Sequence, residues 1–141
     1  MAKNNNPTLV AIFWTILIAT SCLIPASAFK PFSFNSFLQI DKIIHLILFF
    51  CWVTFWLLSK HKIKKLTLKI KGQFLFLGIL YGILIEFLQS SMHLGRSFEI
   101  DDMIANGVGA LIGVLTIDYV INHFSFFKKY VPLVKYLYPH L

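Results

Sequence analysis

Charged residues are scarce in this sequence. Asp, Glu, Lys and Arg make up 13% of its 141 residues, whereas 57% of the chain is hydrophobic and the mean hydropathy is +0.74. A water-soluble domain of this size cannot hide so much apolar surface. The composition therefore excludes an ordinary soluble protein and predicts one integral membrane domain over residues 1–141, undivided by repeats or linkers.

Carboxylates and cysteines are also few. Six acidic residues oppose 13 Lys and Arg residues, which leaves a formal charge of +7. The cations fall between apolar runs, where they orient membrane helices and contact anionic lipid headgroups, so we expect no nucleic-acid partner. Cys22 and Cys51 lie inside apolar runs, where Cys behaves as a small hydrophobe, and they indicate neither a disulfide nor a metal site.

Several familiar chemical motifs are missing from the sequence. It contains no Gly-rich phosphate loop, no serine nucleophile elbow and no CxxC pair. His45, Glu86 and Asp102 are competent metal ligands, but their spacing matches no strong metal motif. We therefore expect no cofactor and no metal.

Long hydrophobic runs, by contrast, are abundant. Four of them approach the roughly 20 residues that a helix needs to cross a bilayer, and they cover residues 8–24, 43–58, 74–88 and 103–119. The predicted fold is all-α, a bundle of four transmembrane helices. Ala26-Ser27-Ala28 imitates a signal-peptide cleavage site, but the first run is longer than the usual 7–15 residues or so, and we expect it to be retained.

The distribution of cations predicts the orientation. Ten of the 13 Lys and Arg residues fall in the termini and in the connection between the second and third runs. Short cytoplasmic segments hold the excess of Lys and Arg, so both termini should be cytoplasmic. The tail, residues 120–141, alternates aromatic residues with Lys and is predicted to be a cytoplasmic interfacial segment, with a partner-binding helix as the alternative.

Polar residues occur in pairs at helical spacing within or beside the apolar runs. The pairs are Asp41 with His45, Glu86 with Gln89, and Asp102 with Asn106. Residues three or four apart share one face of a helix, and ionisable groups in membrane spans usually face the bundle interior and serve a function. The helical rise of about 1.5 Å per residue puts His45, Glu86 and Asn106 at similar depth, so we predict that the pairs converge.

Glycines follow the same faces. Small residues allow close approach of membrane helices, and the predicted packing positions are Gly78, Gly82, Gly109 and Gly113. In the third run two of these glycines align with Glu86, and in the fourth run the other two align with Asn106. The packing face and the polar face should therefore coincide, although glycines alone often indicate only helix packing.

Plainer interpretations remain open for individual residues. His45 alone is more often a satisfied interior histidine than a catalyst. Asp41 and Asp102 are candidates for N-caps of the second and fourth helices. Arg96 is either a structural counter-ion of Glu86 or a ligand-binding residue.

Taken in order, these residues resemble a known family. Asp41-Lys42-x-x-His45, Glu86-x-x-Gln89, Arg96 and Asp102-x-x-x-Asn106, followed by the two later glycines, are similar to the motifs of the VanZ-like family, over residues 8–120. The resemblance implies a small multi-pass protein of the bacterial plasma membrane and cell envelope, in a family named for a member associated with teicoplanin resistance. The family has been grouped with membrane enzymes that act on lipid headgroups or lipid-linked sugars.

These considerations lead to an expected function. We expect an enzyme that binds a membrane lipid or lipid-linked envelope precursor, with His45, Glu86 and Asp102 as the catalytic residues. The remaining polar residues, which should bind the substrate, are Asp41, Gln89, Arg96 and Asn106. The alternatives are a non-catalytic lipid- or antibiotic-binding or accessory protein and, less favoured because no inverted repeat is present, a transporter. The oligomeric state is left open.

Overall fold

The computed structural model describes residues 7–24, 34–61, 63, 65–92 and 98–130 of the chain, with side chains described outside 34–39 and 124–130. This part of the chain contains four helices and no strand. The helices are α1 (Pro7–Cys22), α2 (Phe34–His61), α3 (Leu68–Ser91) and α4 (Ile100–Tyr130). The predicted all-α fold is confirmed.

Three of the four helices are long and apolar enough to cross a membrane. The spans are Ile40–His61, Leu68–Ser91 and Ile100–His123, and each matches the roughly 20 residues that about 30 Å of hydrocarbon requires. The first helix, with 16 residues, is about 24 Å long at 1.5 Å per residue. A membrane bundle is therefore confirmed, whereas a fourth complete span by α1 stays a prediction.

The helices extend beyond the apolar runs that predicted them. α2 begins at Phe34 rather than at residue 43, and α4 continues to Tyr130 rather than ending at residue 119. Hydrophobic runs mark only the lipid-facing part of a helix, and the backbone continues as helix into polar flanks. The predicted tail is thus helical over 120–130, while 131–141 lie outside the described residues. Its cytoplasmic interfacial position stays a prediction.

Glycines bring α2, α3 and α4 close together. A Cβ at Gly109 would collide with the Leu46 carbonyl oxygen, and one at Gly113 would lie 2.9 Å from the Phe50 carbonyl oxygen. On α3, a Cβ at Gly82 would lie 2.9 Å from the Asn106 Cβ. Close backbone approach at small residues is a general way to pack membrane helices. It places the polar side chains of the three helices within reach of one another.

α1 joins this bundle through hydrogen bonds as well as apolar contacts. The Trp14 indole donates to the Leu48 carbonyl oxygen at 3.0 Å, and the Tyr81 hydroxyl donates to the Thr15 carbonyl oxygen at 2.7 Å. Paired polar groups of this kind hold helices together in an apolar medium. Retention of α1 in the mature protein is consistent with these bonds and stays a prediction.

Candidate functional site

His45 lies at the centre of a buried group of polar side chains. Its Nδ1 is 3.0 Å from the Asn106 Oδ1 and 3.7 Å from the Glu86 Oε1, while its Nε2 is 3.9 Å from the Asp41 Oδ1. His45 and Asn106 are each 1% exposed, and Glu86 is fully buried. Three helices therefore contribute to one site, which we call the polar end of the bundle.

The contact with Asn106 determines which ring nitrogen of His45 carries the proton. An amide oxygen can only accept a hydrogen bond, so the His45 Nδ1 donates to the Asn106 Oδ1. In a neutral imidazole the Nε2 lone pair is then free to accept a proton or bind a cation. This lone pair lies on the side of Asp41, opposite to Asn106.

Glu86 lies deeper in the bundle than the other carboxylates. It follows Ile85, another buried residue of α3, and its Oε1 faces the His45 ring at 3.7 Å. A carboxylate out of contact with water is costly unless a cation, a proton or hydrogen bonds stabilise it. A histidine beside a buried carboxylate is an arrangement that can accept and return a proton.

Asp41 and Asp102 lie on the other side of His45. Because α2 begins at Phe34, Asp41 is inside the helix, four residues before His45 on the same face, and its interpretation as an N-cap is wrong. Asp102 is in the first turn of α4, where a negative charge interacts favourably with the helix dipole, but it is not the cap either. One donor atom from each of Asp41, His45 and Asp102 lies within 4.8 Å of the others.

Lys42 is a residue whose role sequence analysis missed. Its Nζ lies 3.8 Å from Glu99, 3.4 Å from Asp101 and 3.8 Å from Asp102. It thus connects α2 with the N-terminal turn of α4 and the residue before it. In the sequence, this role is indicated only by the position of Lys42 next to Asp41. An adjacent Asp and Lys are equally expected where a membrane helix meets water, so the pattern is not specific.

Two further residues were predicted to bind the substrate, Gln89 and Arg96. The Gln89 Nε2 donates to the Cys22 carbonyl oxygen at 2.5 Å, so this buried amide connects α3 to the end of α1. Arg96 lies outside the described residues. A role in substrate binding stays a prediction for both.

A comparison with protein-family models gives a match that covers most of the chain. The sequence model of the VanZ/LLP1 family matches residues 4–122, which include α1 and nearly all of the polar and glycine positions discussed above. No curated protein and no solved structure matches the chain.

Proposed function

Since the chain belongs to the VanZ/LLP1 family, we propose that it is a bacterial plasma-membrane protein that binds and modifies the headgroup of an envelope lipid or lipid-linked sugar. The observation behind this proposal is the burial of His45, Glu86 and Asn106 against one another inside a bundle of apolar helices. Buried ionisable groups are rare in membrane spans and usually belong to functional sites.

The depth of the polar end suits a headgroup rather than an acyl chain. Asp41 lies just before the apolar run of α2 that begins at residue 43, Asp102 lies in the first turn of α4, and Glu86 lies little more than one turn before the end of α3. These positions fall near the edge of the hydrocarbon core. Phosphate and sugar headgroups lie at a similar depth in a bilayer.

A neighbouring apolar cavity provides space for the chain of such a lipid. It measures about 490 Å³ and is lined by Trp52, Trp56, Phe74, Leu77, Leu80, Tyr81 and Leu84. The indole N–H groups of both tryptophans donate to the Thr15 hydroxyl, at 2.9 and 3.2 Å, which leaves no free indole donor in the cavity wall. An aliphatic chain is the ligand that this lining favours.

The cavity and the polar end share one side of α2. Phe49 follows His45 by one helical turn and is fully buried, and its ring centroid lies 5.7 Å from that of Tyr81 in the cavity wall. Phe49 thus lies between the cavity and His45, and we place the headgroup of a lipid whose chain occupies the cavity at the polar end. This juxtaposition supports one elongated amphipathic ligand.

The chemistry proposed for the site is proton transfer to or from the headgroup. His45 and Glu86 act as the proton-transferring pair, and Asp102 assists them from the far side of the ring. Asp41, Asn106, Gln89 and Arg96 bind the ligand. An effect on glycopeptide susceptibility would follow if the lipid is a cell-wall precursor.

The orientation is part of this proposal. We place both termini in the cytoplasm and the polar end at the outer leaflet, because the lysine-rich connection belongs on the cytoplasmic side. Cysteines replacing Lys65 and Phe98, both exposed, test this in a background with Cys22→Ala and Cys51→Ala. An impermeant thiol reagent should label Phe98→Cys in intact cells and miss Lys65→Cys, and the reverse pattern would refute the orientation.

Lipid mass spectrometry on the purified protein tests the ligand class. We expect an enriched lipid with a phosphate- or sugar-containing headgroup, and its loss from Leu77→Trp, which fills the cavity. The matched control is Phe76→Trp on the adjacent, exposed position, which should retain the lipid. If the two variants and wild type all carry only bulk lipids in bulk proportions, the proposed function is wrong.

A further inference from the structure

We propose that Asp41, His45 and Asp102 bind one divalent transition-metal ion, Zn²⁺ or Mn²⁺, at the polar end. Sequence spacing gave no indication of this site, because its donors come from two helices. The inference deepens the proposed function: the metal on the His45 Nε2 would bind an anionic headgroup oxygen, and Glu86 alone would then transfer the proton in place of the His45–Glu86 pair. It rests on that function only for the role of the metal and not for metal binding itself.

The donor set and its geometry fit such an ion. One imidazole nitrogen and two carboxylate oxygens lie within 4.8 Å of one another, and the His45 Nε2 is 3.9 Å from the Asp41 Oδ1. Zn²⁺ binds nitrogen and oxygen ligands at about 2.0–2.2 Å, which separates ligands in a tetrahedral site by roughly 3.4 Å. Small rotations of the two Asp side chains close the difference. Three protein ligands leave a position for water or a headgroup oxygen.

The orientation of His45 is an independent observation in favour of metal binding. Metal-ligating histidines usually donate their second ring N–H to an oxygen acceptor, which fixes the ring and the tautomer. Here the Nδ1 donates to the Asn106 Oδ1 at 3.0 Å, so the Nε2 lone pair is presented to the Asp41 Oδ1, 3.9 Å away. Asn106 is itself held against Gly82, where a Cβ would lie 2.9 Å from its own Cβ. The bundle thus fixes the His45 ring with its Nε2 lone pair available to a metal ion.

Asp102 provides a second observation. This residue is 3% exposed, and within the described part of the chain its Oδ1 has no hydrogen-bond partner. The ammonium nearest to it, that of Lys42, lies 3.8 Å away and is closer to Asp101, at 3.4 Å. Lys42 therefore forms only a long ion pair with this buried oxygen, and a second, closer cation would stabilise the carboxylate further.

The charge around the site also favours a bound cation. Five of the six carboxylates of the chain lie at this end of the bundle, namely Asp41, Glu86, Glu99, Asp101 and Asp102. Among the described residues Lys42 is the only Lys or Arg that faces them. A divalent ion between Asp41 and Asp102 would balance two of these charges where solvent cannot. Carboxylate and imidazole together are ligands that suit Zn²⁺ and Mn²⁺.

Metal binding to the full-length, tag-free protein tests the proposal without any lipid. After chelator treatment and gel filtration in detergent, the protein is titrated with Zn²⁺ and Mn²⁺, and bound metal is measured by mass spectrometry. We expect about one ion per chain. Asp102→Asn and Asp41→Asn should each weaken binding by at least about 100-fold, since each removes one of three ligands. The matched control is Asp101→Asn, the exposed neighbour of Asp102, which should bind as wild type does.

The outcomes separate this proposal from the proposed function. Folding of each variant is checked by circular dichroism and gel filtration, and Mn²⁺ electron paramagnetic resonance on the wild type reports nitrogen coordination from His45. Absence of stoichiometric binding by the wild type would overturn the metal site, as would equal binding by well-folded Asp102→Asn and Asp41→Asn. Lipid enrichment by the wild type would still stand in either case.

Discussion

The two ends of the bundle differ in how far their charged side chains are exposed. At the polar end, His45, Glu86 and Asp102 are buried between helices. At the other end, which we call the lysine end, Lys71 forms an ion pair with Asp118, whose side chain is 65% exposed. Exposed ion pairs contribute little to stability, whereas buried charges cost free energy that the fold must offset. Sequence selection for stability alone would favour the lysine end and remove the polar end, and this difference is the reason for our proposal that the polar end serves function.

The largest expected effect comes from separating α2 and α4, which would disrupt the polar end. Gly109→Leu places a side chain where even a Cβ collides with the Leu46 backbone. Overpacking of a tight interface costs about 1–3 kcal/mol or more, and a rigid carbonyl cannot move aside as a side chain can. We expect loss of the folded monodisperse protein in gel filtration. Gly72→Ala, with no atom within 4 Å of its Cβ, is the control and should behave as wild type.

A smaller effect is expected at the contact between α1 and α3. Gln89→Leu removes the donor that satisfies the Cys22 carbonyl oxygen but keeps most of the side-chain volume. Loss of a buried hydrogen bond costs about 0.5–1.5 kcal/mol. The midpoint of thermal unfolding in detergent should fall by several degrees. Gln73→Leu, at an exposed position of the same helix, should leave the midpoint unchanged, and equal shifts for the two variants would contradict the assigned bond.

The smallest effect is expected at the lysine end. Asp118→Asn breaks the ion pair with Lys71, in which the side chains of Asp118 and Lys71 are 65% and 13% exposed, and pairs open to solvent on one side contribute about 0.2–1 kcal/mol. Unfolding midpoints at low and high salt should therefore differ little between Asp118→Asn and wild type. A destabilisation as large as that of Gln89→Leu would contradict the claim that the two ends differ in how much their charged groups affect stability.

Much of the fold follows from the sequence, and the parts that do not have physical reasons. Hydrophobic length predicts the spans well, since bilayer thickness sets it. The extension of the helices to Phe34 and Tyr130 was not predictable from apolar runs, because the backbone stays helical in polar flanks where the hydropathy falls. These extensions change the interpretation of single residues. Because α2 extends to Phe34, Asp41 lies inside the helix and is not its N-cap.

The sequence predicts which helix faces carry the polar residues but not which of these residues contact one another. Spacing along each helix gave the shared faces of Asp41 with His45 and of Asp102 with Asn106, because helical geometry alone determines them. Contacts between helices depend on their rotation and vertical offset, which spacing does not specify. The bond from Gln89 to the Cys22 carbonyl oxygen and the bridging position of Lys42 are of this kind.

The central claim, that the polar end binds and modifies the headgroup, is tested most directly by Glu86→Gln. The substitution keeps shape and removes one charge beside His45, and the loss of a proton-transferring group lowers turnover by about 10²–10⁴-fold. Turnover is measured in liposomes that contain the lipid found with the wild-type protein, with Asp118→Asn as the control for charge removal. The account predicts that Glu86→Gln folds normally and loses turnover by at least about 100-fold, while Asp118→Asn retains it. Full turnover by Glu86→Gln would contradict the account.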